Sequence, residues 1–148
     1  MSRTSARHLG PIRANFEANK PSFAPYIAAG KLKPFGGDTV LVPGIRAIAA
    51  YGHTPGHCFY EVESKGQKLL LWGDTVHAAA VQFADPSVTV QWDSNPTQAE
   101  SQREKAFSDA VRRGFLVGGA HTAFPGIGHV RSQRKSHVWV PVNYSASL

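Results

Sequence analysis

The segment Gly52-His53-Thr54-Pro55-Gly56-His57 constrains this chain more than any other. Pro55 and the two flanking glycines break a regular helix, so the two histidines belong to a turn. An apolar run, Leu69-Leu70-Leu71-Trp72, leads to Gly73-Asp74, and Gly118-Gly119-Ala120 leads to His121. Histidine is the commonest borderline metal ligand, and a carboxylate can bridge two cations. Two histidines and an aspartate on separate loops therefore suit zinc or a similar divalent ion, and small neighbours let loop backbone crowd around it.

The surrounding pattern places each of these residues just beyond a strand. Asp38 to Val42 is a short strand candidate stopped by Pro43-Gly44, and Ile45 to Ala50 is the strand that delivers His53. Cys58 to Glu63 alternates two faces, Ser64-Lys65-Gly66 makes a hairpin turn, and Gln67 to Trp72 reads as a strand buried on both faces. Val76 to Phe83 is apolar and of undetermined type, and Val88 to Trp92 is a strand or an extended loop. Asn95-Pro96 opens the clearest helix: Asn95 caps it, Pro96 fits the first turn, Ala99, Ala106, Phe107, Ala110 and Val111 supply an apolar face, and Gly114 ends it. Phe115 to Val117 is the strand before His121, and His137 to Val142 is a last strand that Pro141 marks as an edge. Arg13 to Ala29 is helix-compatible but interrupted by Pro21 and Pro25, which predicts one broken helix or two short ones. The expected organisation is one partial domain over 1–148, with a helical and linker lead-in over 1–37 and the sheet, helix and metal motifs over 38–148.

These motifs, in this order, resemble the later metal motifs of the metallo-β-lactamase superfamily. Three further stretches narrow the resemblance to the branch containing methyl parathion hydrolase and lactonase-like hydrolases. They are Leu41-Val42-Pro43-Gly44-Ile45, the run from Phe124-Pro125-Gly126 through Ile127-Gly128-His129-Val130, and Trp139-Val140-Pro141-Val142-Asn143-Tyr144. The implied fold is α/β: the C-terminal half of a four-layer αββα sandwich, a mixed sheet with flanking helices. A sheet that normally packs on a partner sheet then exposes one apolar face, which favours a homodimer or association through that face. The family's first ligand motif, His-x-His-x-Asp-His, belongs upstream of His53, yet only His8 precedes it and no His-x-His occurs in the chain.

The resemblance also implies a reaction. Family members hold two metal ions that share a hydroxide, which attacks the carbonyl or phosphoryl centre of an ester, lactone or organophosphate. By match, His53 completes the ligands of one metal, Asp74 bridges and is the catalytic carboxylate, and His121 binds the other metal. His57 and His77 are expected to support these ligands rather than to bind metal themselves. His129 reads as structural, and His8 and His137 as surface or strand residues. Catalytic zinc usually takes three protein ligands plus water. Zinc is the first choice of divalent ion, and with part of the ligand set lacking the chain by itself is expected to bind fewer ions and to turn over weakly or not at all. Phe83, Trp92 and Phe124 are candidates either for the core or for an apolar substrate wall.

Composition excludes several other classes. Sixteen Lys and Arg against ten Asp and Glu give a net charge of +6, but the cations are scattered and form no basic stripe, which argues against a nucleic-acid face. A non-catalytic metal-binding or self-associating module is the alternative from outside enzymology. The lone Cys58 cannot form an internal disulfide. No apolar run reaches the roughly 18 residues of a membrane span, and the N-terminus lacks the apolar stretch of a signal peptide, so the sequence as it stands reads as cytoplasmic.

Overall fold

The computed structural model describes residues 17–144. The chain divides into two units at Phe35/Gly36. In the first, helix α1 covers 17–28 and runs through both Pro21 and Pro25 without a break. Its end is closed by two backbone bonds, Gly30 N–H to Ile27 O at 3.0 Å and Lys31 N–H to Tyr26 O at 2.8 Å. This paired pattern is a Schellman cap, which satisfies carbonyls that a helix terminus leaves orphaned. The helix continues through both prolines, so the expected interruption does not occur.

The second unit is a seven-stranded sheet in sequential order: β1 (Thr39–Val42), β2 (Ile45–Ala49), β3 (Cys58–Ser64), β4 (Gln67–Leu71), β5 (Leu116–Gly118), β6 (Ile127–Gln133) and β7 (Ser136–Pro141). All neighbours are antiparallel except β4 and β5, which run parallel. A parallel pair needs a long crossover. Here it contains a single 3₁₀ turn (Gly73–Thr75), the short helix α2 (Ala79–Gln82) and the 18-residue helix α3 (Pro96–Arg113). The sheet is thus mixed with helix packed on it, the arrangement of one half of a metallo-β-lactamase-type sandwich.

Helix α3 begins and ends where its residue types dictate. Asn95 Oδ1 accepts the Gln98 N–H at 3.1 Å, Pro96 occupies the first turn, and the Gly114 N–H closes on Ala110 O. It buries Ala106, Phe107 and Ala110 against Phe59, Leu70, Val117 and Val130 of the sheet. Around the wholly buried Trp72, the rings of Phe83, Phe107 and Trp139 lie at centroid distances of 5.5–6.1 Å. Phe83 is therefore core. The register places Tyr60, Leu71, Gly118 and Ile127 in line on the opposite face of the sheet. There Tyr60 and Leu71 are exposed, and Val62, Leu69 and Leu116 are only half-buried. The expectation that β4 is buried on both faces is thereby corrected: Leu70 lies under α3, whereas Leu71 faces away from it. Residues 88–92 form turns and coil rather than a strand. No helix among the described residues is long and apolar enough to cross a membrane.

Candidate metal centre

Three loops at one end of the sheet bring the histidines together. The first, between β2 and β3, is closed at its base by the Ala50 N–H on His57 O at 3.0 Å. Within it Gly52 has φ +141°, and a Cβ there would lie 2.4 Å from the backbone nitrogen of Ala99. Only glycine lets this loop sit against the first turn of α3. The contact is then locked by Ser94 N–H on His53 O and Asn95 N–H on Gly52 O, both at 2.9 Å. His53 is in this way fixed to the start of α3, the long helix of the crossover.

The second loop carries Asp74. Gly73 has φ +54°, and a Cβ on it would stand 2.9 Å from His57 Nε2. The tight approach lets the Asp74 N–H donate to His57 Nε2 at 3.1 Å, while His57 Nδ1 donates to Ala50 O at 3.0 Å. Both ring nitrogens of His57 are thus committed, and the ring is held neutral. Its pKa is lowered by burial, with the hydrogen bond to the Ala50 carbonyl opposing. His57 positions the backbone of Asp74 and has no nitrogen left for a cation.

Asp74 is the residue the site shares. His53 Nε2 lies 3.3 Å from its Oδ2, and His121 Nε2 lies 3.0 Å from its Oδ1. The structure thus gathers the three residues that the motifs single out around one carboxylate. His121 comes from the loop after β5, where Trp72 N–H donates to Gly118 O and Gly119 N–H to Gly126 O. His77 completes the cluster, its ring centroid 4.8 Å from that of His53 and stacked 4.7 Å from that of His121. Burial lowers the pKa of His77, and the neighbouring His53 adds to the effect. Trp92, largely exposed, sits 6.2 Å from His77 between ring centroids. Phe124, largely exposed, packs edge-on to Tyr144 at 4.9 Å between ring centroids.

One residue of the site escapes sequence reasoning. Asp93 is 3 % exposed and receives the His53 Nδ1–H at 2.9 Å. A metal-binding histidine commonly gives its second N–H to a carboxylate, which fixes the tautomer and directs the other nitrogen outward. Asp93 Oδ2 also accepts the Val90 N–H at 3.1 Å and lies 3.8 Å from the guanidinium of Arg103. Arg103 is itself 1 % exposed and donates to the carbonyls of Thr75, Pro86 and Val88 at 2.9–3.0 Å. Burial pulls its pKa below the ordinary arginine value, against the attraction of Asp93. Neither residue stands in a recognisable motif. Asp93, in the turn before α3, and Arg103, on α3 itself, come beneath His53 only through the fold of the crossover.

The donor set fits a divalent cation. Ligand atoms of His53, Asp74 and His77 lie within 4.8 Å of one another. Imidazole and carboxylate donors suit zinc and other first-row ions alike.

The chain belongs to the metallo-β-lactamase superfamily, whose family model matches residues 2–121. Among solved structures it is similar to the hydrolase AbOPH of the β-lactamase superfamily, with a TM-score of 0.83 and 33 % identity over 97 % of this chain and 50 % of that one. The quorum-quenching lactonase AidC, described as dizinc and solved with a product, shares the fold at 23 % identity with a TM-score of 0.73, over 79 % of this chain and 40 % of its own. A probable metal-dependent hydrolase from Staphylococcus aureus does so at 21 % identity and a TM-score of 0.61, over 78 % and 42 %. The chain therefore spans about half the length of AbOPH and less of the other two. Comparison with curated proteins finds no match.

Proposed function

We propose that this chain carries the Asp74 side of a metal-dependent hydrolase acting on an ester, lactone or organophosphate. The observation that carries the reading is the placement of one histidine nitrogen on each oxygen of a single carboxylate, His53 on Oδ2 and His121 on Oδ1. When bound, a divalent cation, zinc first among the candidates, supplies a Lewis acid and lowers the pKa of a coordinated water toward neutrality. The protein's own part is to hold that ion and keep its ligands still. Asp93 directs His53 Nε2 outward, His57 clamps the Asp74 backbone, and the largely exposed Trp92 offers an apolar wall beside His77. Such a wall suits the carbon skeleton of a neutral ester or lactone better than a polyanion. The 33 % identity to a superfamily hydrolase supports the reaction class.

The test is metal content by elemental analysis after gel filtration, with ester, lactone and organophosphate hydrolysis measured on the same fraction. Metal that co-elutes with turnover, lost together on chelation, supports the proposal. A folded protein that takes up no zinc, manganese or cobalt and hydrolyses none of the three overturns it.

A second reading, a self-associating module without catalysis, is favoured by one feature. The sheet face opposite α3 carries Tyr60 and Leu71 exposed amid half-buried Val62, Leu69 and Leu116. Replacing Tyr60 and Leu71 by glutamate would dissociate an assembly built on this face, as sedimentation velocity would show.

A further inference from the structure

We propose, independently of the hydrolase reading, that a groove at the end of the sheet remote from the histidine cluster docks an extended segment of a protein partner in which acidic and apolar residues alternate. The groove arises from unequal strand lengths. β5 has three residues, between β4 with five and β6 with seven. Its pairs reach only Leu69, Leu70 and Leu71 on one side and Ile127 and Gly128 on the other. Before Leu116 the chain comes from the end of α3, so Lys68 of β4 and Ser132 of β6 have no strand between them. The notch left there is an open groove of about 560 Å³ lined by Gly66, Lys68, Arg113, Phe115, Leu116 and His129.

Both strands beside the notch turn backbone groups into it. Ile127 O accepts the Val142 N–H, so odd-numbered residues of β6 face β7, and Ser132 turns its N–H and C=O the other way, toward the notch. The Trp72 N–H donates to Gly118 O, so even-numbered residues of β4 face the β5 side, and Lys68 opens onto the notch. Two strand edges separated by one missing strand are a setting for strand addition, in which main-chain hydrogen bonds hold an extended peptide. Side chains then select the partner. Phe115, packed against the core, gives an apolar floor on the α3 side. Lys68 and Arg113 are both held by Glu61, at 3.1 and 3.5 Å. By contrast Lys65 on the β3–β4 turn and Arg131, Arg134 and Lys135 on β6 and its turn are exposed, and none has an ion-pair partner among the described residues. Cations scattered in the sequence are thus gathered at one end of the fold, where they attract carboxylates and repel a basic partner. Alternate side chains of an added strand point to opposite faces, so apolar residues meet Phe115 and acidic ones lie beside Arg131. A nucleic acid fits less well, because its bases need free aromatic platforms and Phe115 is held against the core.

The experiment is fluorescence anisotropy of a fluorescein-labelled peptide of four Glu-Val repeats titrated with the purified chain, beside a Lys-Val peptide of the same length and a labelled oligothymidine. The expected result is saturable binding of the Glu-Val peptide that salt weakens, with the Lys-Val peptide unbound and the oligonucleotide bound about tenfold more weakly or not at all. The triple variant Arg131→Glu, Arg134→Glu, Lys135→Glu, all at exposed positions, should weaken the Glu-Val peptide about tenfold or more. Ser132→Pro removes an N–H that faces the notch and none that pairs with β7, and should cost about three- to tenfold, the worth of one hydrogen bond. Circular dichroism checks the fold of each variant. If Ser132→Pro misfolds, slowed hydrogen exchange of the Lys68 and Ser132 amides on peptide binding to the unaltered chain decides in its place. No binding of the Glu-Val peptide, equal binding by the triple variant, an affinity that Ser132→Pro leaves unchanged, or tighter binding of the oligonucleotide overturns the proposal. Ester and lactone hydrolysis is read at the other end of the sheet, so each of these failures leaves the hydrolase reading standing.

Discussion

The Nδ1 of His53 and the Oδ1 of Asp93, forty residues apart in sequence, meet at 2.9 Å beneath the candidate site. The carboxylate is almost wholly buried, so the bond is shielded from water and from competing donors. Removing it frees the His53 ring to rotate and to change tautomer. Asp93→Ala should therefore lower zinc affinity about 10–100-fold, whereas Asp93→Asn, whose amide oxygen can still accept the Nδ1–H, should lower it less. Chelator competition on the two variants checks this, and equal affinities for the unaltered chain and Asp93→Ala would remove the assigned role.

Asp74 and His137 make the sharpest contrast between the site and the rest of the fold. Asp74 touches both His53 and His121, while the ring of His137 packs 5.1 Å from that of Phe107 in the core. Asp74→Ala should abolish metal binding and His137→Ala should leave it unchanged. Equal metal content of the two by elemental analysis would sink the site assignment.

The loop that presents His53 depends on Gly52. An alanine there meets both a φ of +141° and a 2.4 Å clash with the backbone of Ala99. Backbone strain of about 1–3 kcal/mol and overpacking of about 1–3 kcal/mol add to a loss of roughly 2–6 kcal/mol. Gly56, whose Cβ position meets nothing within 4 Å and whose φ is not positive, is the control: Gly56→Ala should shift the urea midpoint little. Matching midpoints for the two variants would refute the packing argument.

Stability should fall in mild acid. Burial lowers the pKa of His137, and lowers those of His57 and His77 too, below the ordinary value near 6.5. The unfolded chain then takes up protons first. The stability from keeping these rings neutral is fully present above that ordinary value and is lost as pH falls from it toward the lowered folded values. Thermal midpoints at pH 7.5 and 5.5 should therefore differ, and His137→Phe should narrow the gap. An unchanged gap in that variant would exclude His137 as a contributor.

Much of the fold is local, and such features are legible in the chain. Asn95-Pro96 and Gly114 bound α3 because capping and φ preference act over a few residues, and the motifs around His53, Asp74 and His121 mark strand ends because glycine and proline break regular structure there. The family could be named from the same motifs. The tertiary structure alone decided what lies under and beside them. Asp93 and Arg103 support the first histidine only because the crossover folds the turn before α3 back beneath the β2–β3 loop. His77 joins the donor cluster, and His57 leaves it, for reasons of hydrogen-bond commitment that no spacing encodes. Leu70 and Leu71 look alike in sequence, yet one lies under a helix and the other does not. Residue type and local backbone preference set where the chain turns, whereas burial and hydrogen-bond partners depend on which distant segments arrive at the same place.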